Sequence, residues 1–141
     1  MSTAPVSLFA YGTLQLADVL HAVVGQRWQG EPALLVGYGR YRLRGRPYPA
    51  IVAEPAGNVA GLLYGGVGTE ELALLDSYEG ELYERRTVTV RVGGATHSAL
   101  VYVLGEQHRS LLSSEAWELG EFEREHLAGY LQRIALTRRA P

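Results

Sequence analysis

Glu79 is the residue of this chain whose type and position most clearly suggest chemistry. It closes the segment Thr69–Gly80, in which successive residues advance by about 100° if the segment is helical. At that pitch Leu72, Leu75 and Glu79 share one face, the apolar stripe that should meet the core. Burial and the negative end of the helix dipole both disfavour the anion, so both would raise the pKa of Glu79. A carboxylate tuned in this way can act as a general base and then return the proton.

The same spacing leaves a second interpretation open for this residue. Gly80 stands where a helix stop is expected. If the helix ended one residue earlier, Glu79 would point into water and would be an ordinary surface glutamate. Spacing alone does not choose between the two interpretations.

A second candidate lies near the start of the chain, where Tyr11, Gly12, Thr13 and Leu14 follow the apolar segment Val6–Ala10. Glycine permits a sharp turn and the close approach of a ligand to the backbone. Successive backbone N–H groups in such a turn can hold a carboxylate or a developing oxyanion. Taken by itself, the motif is much more typical of a plain turn that ends a strand.

Tyr83 and Arg85 open an alternating segment soon after Glu79. An arginine here can pair with a substrate carboxylate, and a tyrosine can shape or cap a pocket. The competing interpretation is a tyrosine in the wall of the sheet and an arginine solvated on its surface. Both residues are candidate substrate-binding residues, although for Arg85 the pattern alone favours the solvated position.

Two absences from the sequence exclude whole classes of chemistry. There is no cysteine, which excludes disulfides, thiolate nucleophiles and thiolate metal sites. All 13 basic residues are arginine, so a Schiff-base lysine and the lysine of a P-loop are also excluded. The histidines lack metal-ligand spacing, and no metal site is predicted.

The charge and hydropathy of the sequence argue against nucleic acid or a membrane as a binding partner. The net charge is −2, and no apolar run approaches the roughly 20 residues of a membrane span. Alternating arginines at 40, 42, 44 and 46 leave a nucleic-acid strip as a distant alternative, although such a row is more typical of a solvated strand face. No secretory signal is recognisable, so a cytoplasmic location is expected.

The apolar pattern predicts an α+β fold in one domain spanning residues 1–141. Short strands are expected at Val6–Ala10 and in several later segments, and Thr87–Val92 alternates strictly before the hairpin signal Gly93–Gly94. The tail, from Leu119 to Ile134, has helical spacing. Many short strands, 17 glycines and few helices favour a small, mostly antiparallel β-barrel with flanking helices.

In their order along the chain, these motifs resemble the gamma-glutamylcyclotransferase-like family, which includes the AIG2-like proteins. The resemblance covers about residues 6 to 104. Its blocks are Phe9-Ala10-Tyr11-Gly12-Thr13-Leu14, Tyr48-Pro49-Ala50-Ile51, Val59-Ala60-Gly61-Leu62-Leu63-Tyr64, Leu75-Asp76-x-Tyr78-Glu79-Gly80, Tyr83-x-Arg85-x-x-Val88-x-Val90 and Val101-Tyr102-Val103.

The resemblance implies a function as well as a fold. It implies that Glu79 is the catalytic acid/base, that the loop Tyr11–Leu14 binds the gamma-glutamyl head largely through its backbone, and that no cofactor is used. The expected substrate is a small gamma-glutamyl amine or gamma-glutamyl amino acid, which is cyclised to 5-oxoproline with release of the free amine. A non-catalytic binding protein that uses the same pocket is the alternative. The sequence does not indicate an oligomeric state.

Overall fold

A computed structural model describes residues 5–139, so the predicted domain, residues 1–141, extends beyond the described residues at both ends. Within them the strands are β1 (Val6–Ala10), β2 (Glu31–Leu43), β3 (Pro49–Val67), β4 (Tyr83–Val92), β5 (Ala95–Leu104) and β6 (Leu112–Ala116). The α-helices are α1 (Ala17–Val24), α2 (Thr69–Glu79), α3 (Leu119–Glu125) and α4 (Leu127–Arg139). Short 3-10 turns lie at Thr13–Gln15, Gly80–Leu82 and Glu106–Leu111.

The strands follow one another in the order β3-β1-β5-β4-β2-β6, and β2 also pairs with β3. Five strands therefore form a ring, to which β6 adds at the free edge of β2. β1 runs parallel to β5, and the other pairs are antiparallel. The prediction of a mixed α+β fold with mostly antiparallel strands and flanking helices is confirmed.

β4 and β5 form the hairpin that the valine alternation predicted. Val90 is fully buried, and Val88 and Val92 pack beside it in the core of the ring. Gly93 turns the chain at φ 60, a left-handed conformation that glycine adopts without strain. The strand begins at Tyr83, earlier than the predicted Thr87, because backbone pairing continues as far as Tyr83 opposite Leu104.

Gly37 and Gly39 predict breaks between short strands in the first hairpin. The structure has continuous strands there, with an irregularity in their pairing. Gly37 has φ 92 and lies where the register between β2 and β3 shifts, between Val36 and Tyr38. The extra residues are accommodated as a bulge, so each arm is one long strand and not two short ones. Strand β6 was missed, and the predicted single tail helix is two helices because the chain leaves helical geometry at His126 (φ −125, ψ −20).

The core has two main parts, and β1 contributes to both. Phe9 points into a cluster inside the ring that draws on all five of its strands. Leu8 and Ala10 point the other way, into a cluster that includes Leu20 of α1 and Leu75 of α2. A short strand that is buried on both faces is thereby held between the ring interior and the helices, with its last residue at the start of the Tyr11–Leu14 turn.

Candidate active site

Glu79 is the last residue of α2. The helix begins at Thr69, and the carboxylate of Glu71 accepts a hydrogen bond from the N–H of Gly68 at 3.1 Å, which satisfies one group at the helix start. Leu75 is fully buried against β1 and α1, which fixes the orientation of the helix. Gly80 stops the helix at φ 70 and ψ −155. Glu79 therefore stays on the helical face that the spacing predicted, and the interpretation in which the helix ends earlier is not the observed one.

This carboxylate lines a small cavity at the junction of the ring and the helices. The cavity has a volume of about 110 Å³. Its lining residues are Leu8, Phe9, Ala10, Tyr11, Gly12, Thr13, Leu14, Tyr48, Pro49, Tyr78, Glu79, Tyr83, Tyr102 and Tyr130. Glu79 is the one acidic side chain among them, and the others are apolar or neutral polar. The walls could therefore surround a small polar molecule while presenting a single carboxyl group to it.

Six of the seven predicted site residues meet in this cavity. Tyr11, Gly12, Thr13 and Leu14 come from the turn after β1, Tyr83 from the start of β4, and Glu79 from the end of α2. Arg85 does not line the cavity. Its side chain is exposed, and its Nη1 donates to Oδ2 of Asp76 at 2.6 Å. The sequence-based expectation that Arg85 would contact the substrate directly finds no support in this position.

Three buried or half-buried contacts hold the Tyr11–Leu14 turn in place. Arg40 Nη1 donates to the carbonyl oxygen of Tyr11 at 2.8 Å, and the Tyr64 hydroxyl donates to the carbonyl of Leu14 at 2.8 Å. The Tyr11 hydroxyl donates to the carbonyl of Tyr102 at 2.5 Å, which ties the turn to β5. These three contacts fix the position of the turn relative to β5 and to the long strands β2 and β3.

Close packing disfavours any side chain at position 12. The φ of Gly12 is −122, which other residues also adopt. A Cβ placed on Gly12 would lie 3.1 Å from Cγ of Pro49, tighter than most side chains tolerate. The 3-10 turn that follows starts at Thr13, so the N–H groups of Thr13 and Leu14 have no partner within that turn. Both residues line the cavity.

Burial raises the pKa of Glu79 to about 8, and the negative charge of Asp76 contributes to the shift in the same direction. Asp76 lies one helical turn earlier on α2. It accepts hydrogen bonds from Arg85 and, at 2.7 Å, from the Tyr102 hydroxyl. Asp76 therefore lies between Arg85 and the cavity. The positive charge of Arg85 balances the negative charge of Asp76, and it is this negative charge that disfavours ionisation of Glu79.

The tyrosines of the cavity remain neutral donors and acceptors. Burial is the largest cause that raises the pKa of Tyr11, Tyr78 and Tyr83 well above 10, and the charge of Glu79 adds to it in each case. The Tyr83 hydroxyl donates to the carbonyl of Pro49 at 2.7 Å. These side chains build rigid polar walls without introducing a second charge near Glu79.

A second group of tyrosines was not predicted as part of the site. The hydroxyl of Tyr78 is hydrogen-bonded to Oγ1 of Thr13 at 2.7 Å and to the hydroxyl of Tyr130 on α4. Tyr102 and Tyr48 complete the set. Tyr78 directly precedes Glu79 in the sequence, and Tyr102 lies in the block Val101-Tyr102-Val103. Local sequence could therefore have indicated that both belong to the site. Tyr130 had none, because its helical spacing in the tail predicted only packing.

Two arginines of the alternating row that suggested a nucleic-acid strip, Arg40 and Arg42, make contacts within the protein. Arg40 is half-buried, bonds Tyr11 and lies 5.4 Å from the ring of Trp117. Arg42 donates to Glu121 at 2.6 Å. Among residues 5–139 no cluster of three or more metal-ligating side chains is found. Nor is any helix in this part of the chain long and apolar enough to cross a membrane.

Comparison with known proteins gives a consistent match. The family model described as "Gamma-glutamyl cyclotransferase, AIG2-like" matches residues 8–119. The chain belongs to this family. AIG2-like protein D of Arabidopsis thaliana is 30% identical over 129 residues, which cover 89% of this chain and 84% of that protein. AIG2-like protein C of the same plant is 38% identical over 87 residues, which cover 62% of this chain but only 51% of that protein.

Solved structures of gamma-glutamyl cyclotransferase-like proteins share the fold. A solution structure from Arabidopsis thaliana is 29% identical, with a TM-score of 0.72 and coverage of 97% of this chain and 84% of that one. A structure described as "Gamma-glutamyl cyclotransferase" has a TM-score of 0.64, covers 93% of this chain and 86% of that one, and is 17% identical, so it shows the likeness of the fold alone. The family resemblance read from the sequence is confirmed. The chain spans about half the length of several curated relatives. These matches therefore do not by themselves establish the activity of the whole protein.

The arrangement of Asp76 and Glu79 yields a prediction about ionisation. Asp76→Asn removes a negative charge that opposes ionisation of Glu79, while the amide oxygen can still accept from Tyr102. We expect the pKa of Glu79 to fall from about 8 but to stay above 4.5, because burial is the larger cause of the shift. Carboxyl-detected NMR titration of glutamate-labelled protein measures it.

The matched control is Glu70→Gln, which removes an exposed carboxylate from the first turn of the same helix. It should leave the titration of Glu79 unchanged. An unaltered pKa in the Asp76→Asn variant would show that the two carboxylates do not interact as described.

Proposed function

We propose that this protein cyclises a gamma-glutamyl amine or gamma-glutamyl amino acid to 5-oxoproline and releases the free amine, with Glu79 moving the protons. The observation that carries the proposal is the position of this carboxyl group. It is the one acidic group in a small cavity, it faces the turn after β1, and its pKa is raised to about 8. Family membership supports the same reaction type.

The first step is proton transfer from the substrate to Glu79. The α-amine of a gamma-glutamyl compound has an ordinary pKa of about 8, so it is mostly an ammonium ion at neutral pH and is not nucleophilic. A carboxylate whose own pKa is about 8 can take one of these protons at almost no free-energy cost. A surface glutamate, with an ordinary pKa near 4.5, would be a much weaker base.

The second step is attack of the freed amine on the γ-carbonyl carbon of the same molecule. A five-membered ring forms, and the carbonyl oxygen becomes an oxyanion. In the proposal, the N–H groups of Thr13 and Leu14 stabilise that oxyanion. Because nucleophile and electrophile belong to one molecule, the main task of the cavity is to hold the substrate in its folded geometry.

The third step is collapse of the tetrahedral intermediate. The bond between the former γ-carbon and the leaving nitrogen breaks, Glu79 returns its proton to that nitrogen, and the ring nitrogen, which still carries two protons after the attack, releases one of them to water. The products are 5-oxoproline and the free amine, and the carboxylate is restored. One titratable group thus serves as base and then as acid, so the proposed route uses no lysine, cysteine or metal ion. The cytoplasmic location stays a prediction from the sequence.

Glu79→Gln tests the assigned role. The amide keeps the shape of the side chain but cannot accept the proton, so kcat/KM for 5-oxoproline release should fall by about 10²- to 10⁴-fold. Release is measured over a panel of gamma-glutamyl amines and amino acids. Glu81→Gln, an exposed neighbour in the following turn, is the control and should keep full activity.

Retained turnover in the Glu79→Gln variant would contradict the mechanism. Thermal melting with gamma-glutamyl compounds, combined with the release assay, separates the alternatives, because a ligand that binds the folded state raises Tm whether or not it is converted. If the unmodified protein is stabilised by gamma-glutamyl compounds but converts none of them, the non-catalytic binding alternative is correct.

The pH dependence of kcat/KM follows from the shared proton. Below pH 8 both Glu79 and the substrate amine are protonated, and one of the two protons must leave before reaction. Between pH 5 and 7 we therefore expect kcat/KM to rise about tenfold per pH unit. The rate should peak near pH 8 and fall above it, because the leaving amine then lacks its proton. Initial-rate measurements across this range test the claim, and a plateau continuing below pH 4.5 would oppose it.

A further inference from the structure

One hydroxyl group in the wall of the cavity that contains Glu79 is not used by the protein itself. Among residues 5–139, the hydroxyl of Tyr48 has no hydrogen-bond partner. The other hydroxyl-bearing residues of the wall donate to backbone carbonyls or to Asp76, or bond one another; they are Tyr11, Thr13, Tyr78, Tyr83, Tyr102 and Tyr130. A bound molecule can therefore engage Tyr48 without breaking a contact of the protein.

Contacts of the backbone and of the ring restrain Tyr48. The residue lies directly before β3, and its carbonyl accepts a hydrogen bond from the N–H of Leu43 at 3.4 Å. Its ring meets the ring of Tyr130 edge to face, with centroids 6.3 Å apart. The free hydroxyl is thus carried by a half-buried side chain whose position is set before any ligand binds.

Tyr48 also marks the point where the small cavity meets a larger one. The larger cavity has a volume of about 740 Å³, and the two share Tyr48, Tyr78 and Tyr130. Burial is the largest cause that raises the pKa of Tyr83, and the charge that Tyr48 would carry if ionised adds to that shift. The hydroxyl of Tyr48 is therefore within electrostatic range of Tyr83, which lines the small cavity.

The small cavity offers no positive charge to a bound carboxylate. Within the described part of the chain no arginine or histidine lines it, since Arg85 pairs with Asp76 and Arg40 bonds the carbonyl of Tyr11. A guanidinium in the wall would favour the anionic form of Glu79 and would lower its pKa. Neutral donors can hold a carboxylate in this cavity without that effect.

A gamma-glutamyl head suits a wall of neutral donors because it is a zwitterion. Its α-ammonium and α-carboxylate carry opposite charges at neutral pH, so the head has no net charge. In the proposed function, Glu79 takes a proton from the α-ammonium, and the N–H groups of Thr13 and Leu14 meet the γ-carbonyl oxygen. The α-carboxylate is the polar group of the head that still lacks a partner.

We infer that Tyr48 donates a hydrogen bond to the α-carboxylate of the gamma-glutamyl head and thereby selects substrates that carry this group. The assignment rests on the proposed function, which gives partners to the other two polar groups of the head. A hydrogen bond to a carboxylate is stronger than one to a neutral acceptor. At the boundary with the larger cavity the carboxylate keeps one side toward water, which limits the cost of its desolvation.

The test compares gamma-glutamyl-alanine with 4-aminobutyryl-alanine, which has the same chain and amine but no α-carboxylate. Cyclisation of the second compound gives 2-pyrrolidinone in place of 5-oxoproline. In the Tyr48→Phe variant we expect kcat/KM to fall about 10- to 100-fold for gamma-glutamyl-alanine and to stay unchanged for 4-aminobutyryl-alanine. The two amines differ in basicity, so each compound is compared between the variant and the unmodified protein. Tyr38→Phe, in a tyrosine of β2 that lines neither cavity, is the matched control and should leave both rates unchanged.

An unchanged rate with gamma-glutamyl-alanine in the Tyr48→Phe variant would overturn the inference while leaving the proposed function intact. So would an equal loss with both compounds, since that loss would not depend on the carboxylate. Isothermal titration gives a second readout that does not require turnover, and it decides if 4-aminobutyryl-alanine reacts too slowly to measure. Tyr48→Phe should weaken binding of 5-oxoproline by about 10-fold or more and leave binding of 2-pyrrolidinone unchanged.

Turnover and binding separate failure of the inference from failure of the proposed function. If the unmodified protein converts no gamma-glutamyl compound, the cyclisation proposal fails. The affinity of the Tyr48→Phe variant for 5-oxoproline then still decides the role of Tyr48, because a selective loss supports the carboxylate contact and an unchanged affinity overturns it. The inference also fails if the unmodified protein binds neither 5-oxoproline nor gamma-glutamyl-alanine.

Discussion

Partial shielding of one carboxyl group from water is the constraint on which the rest of the site depends. Glu79 closes α2, and the fold surrounds it with tyrosines and with the turn after β1. The cost of ionising a carboxyl group in such surroundings is what raises its pKa to about 8. Without that shift the residue would be a permanent carboxylate at neutral pH, too weak a base to accept a proton from an ammonium ion.

Much of the surrounding structure maintains this environment. Leu75 anchors α2, and the contacts from Arg40 and Tyr64 hold the turn that faces Glu79. The hydroxyls of most of the cavity tyrosines are bonded to carbonyls, to one another or to Asp76, so they provide polar walls around Glu79; these are Tyr11, Tyr78, Tyr83, Tyr102 and Tyr130. Arg85 is near enough to pair with Asp76 but is outside the cavity, so Glu79 is the one acidic side chain in the cavity wall among residues 5–139.

Local sequence was informative about the parts of the site that depend on local geometry. The helix Thr69–Glu79, its glycine stop and the apolar face shared by Leu75 and Glu79 follow from helical periodicity, so they could be predicted. The ring of strands was also predictable in kind, because alternation and glycine turns are local signals. The long arms of β2 and β3 were not, since whether Gly37 breaks a strand or forms a bulge depends on the strand paired with it.

Residues that reach the site from distant segments of the chain could not be predicted from local sequence patterns. Tyr130 meets Tyr78 across 52 positions, and its helical spacing gave no hint of that contact. Arg85 shows the converse case, since its proximity to Glu79 in the sequence suggested a substrate contact. On β4 it shares a face with Tyr83, which lines the cavity, but two residues further along the strand its side chain bonds Asp76 instead.

The protonation state of Glu79 near neutral pH tests the central claim most directly. Isotope-edited infrared difference spectra between the unmodified protein and the Glu79→Gln variant distinguish a carboxylic acid from a carboxylate at this one position. The account predicts an acid band that persists at pH 6 and is replaced by the carboxylate bands with a midpoint near pH 8. A side chain that is already fully ionised at pH 6 would contradict the account.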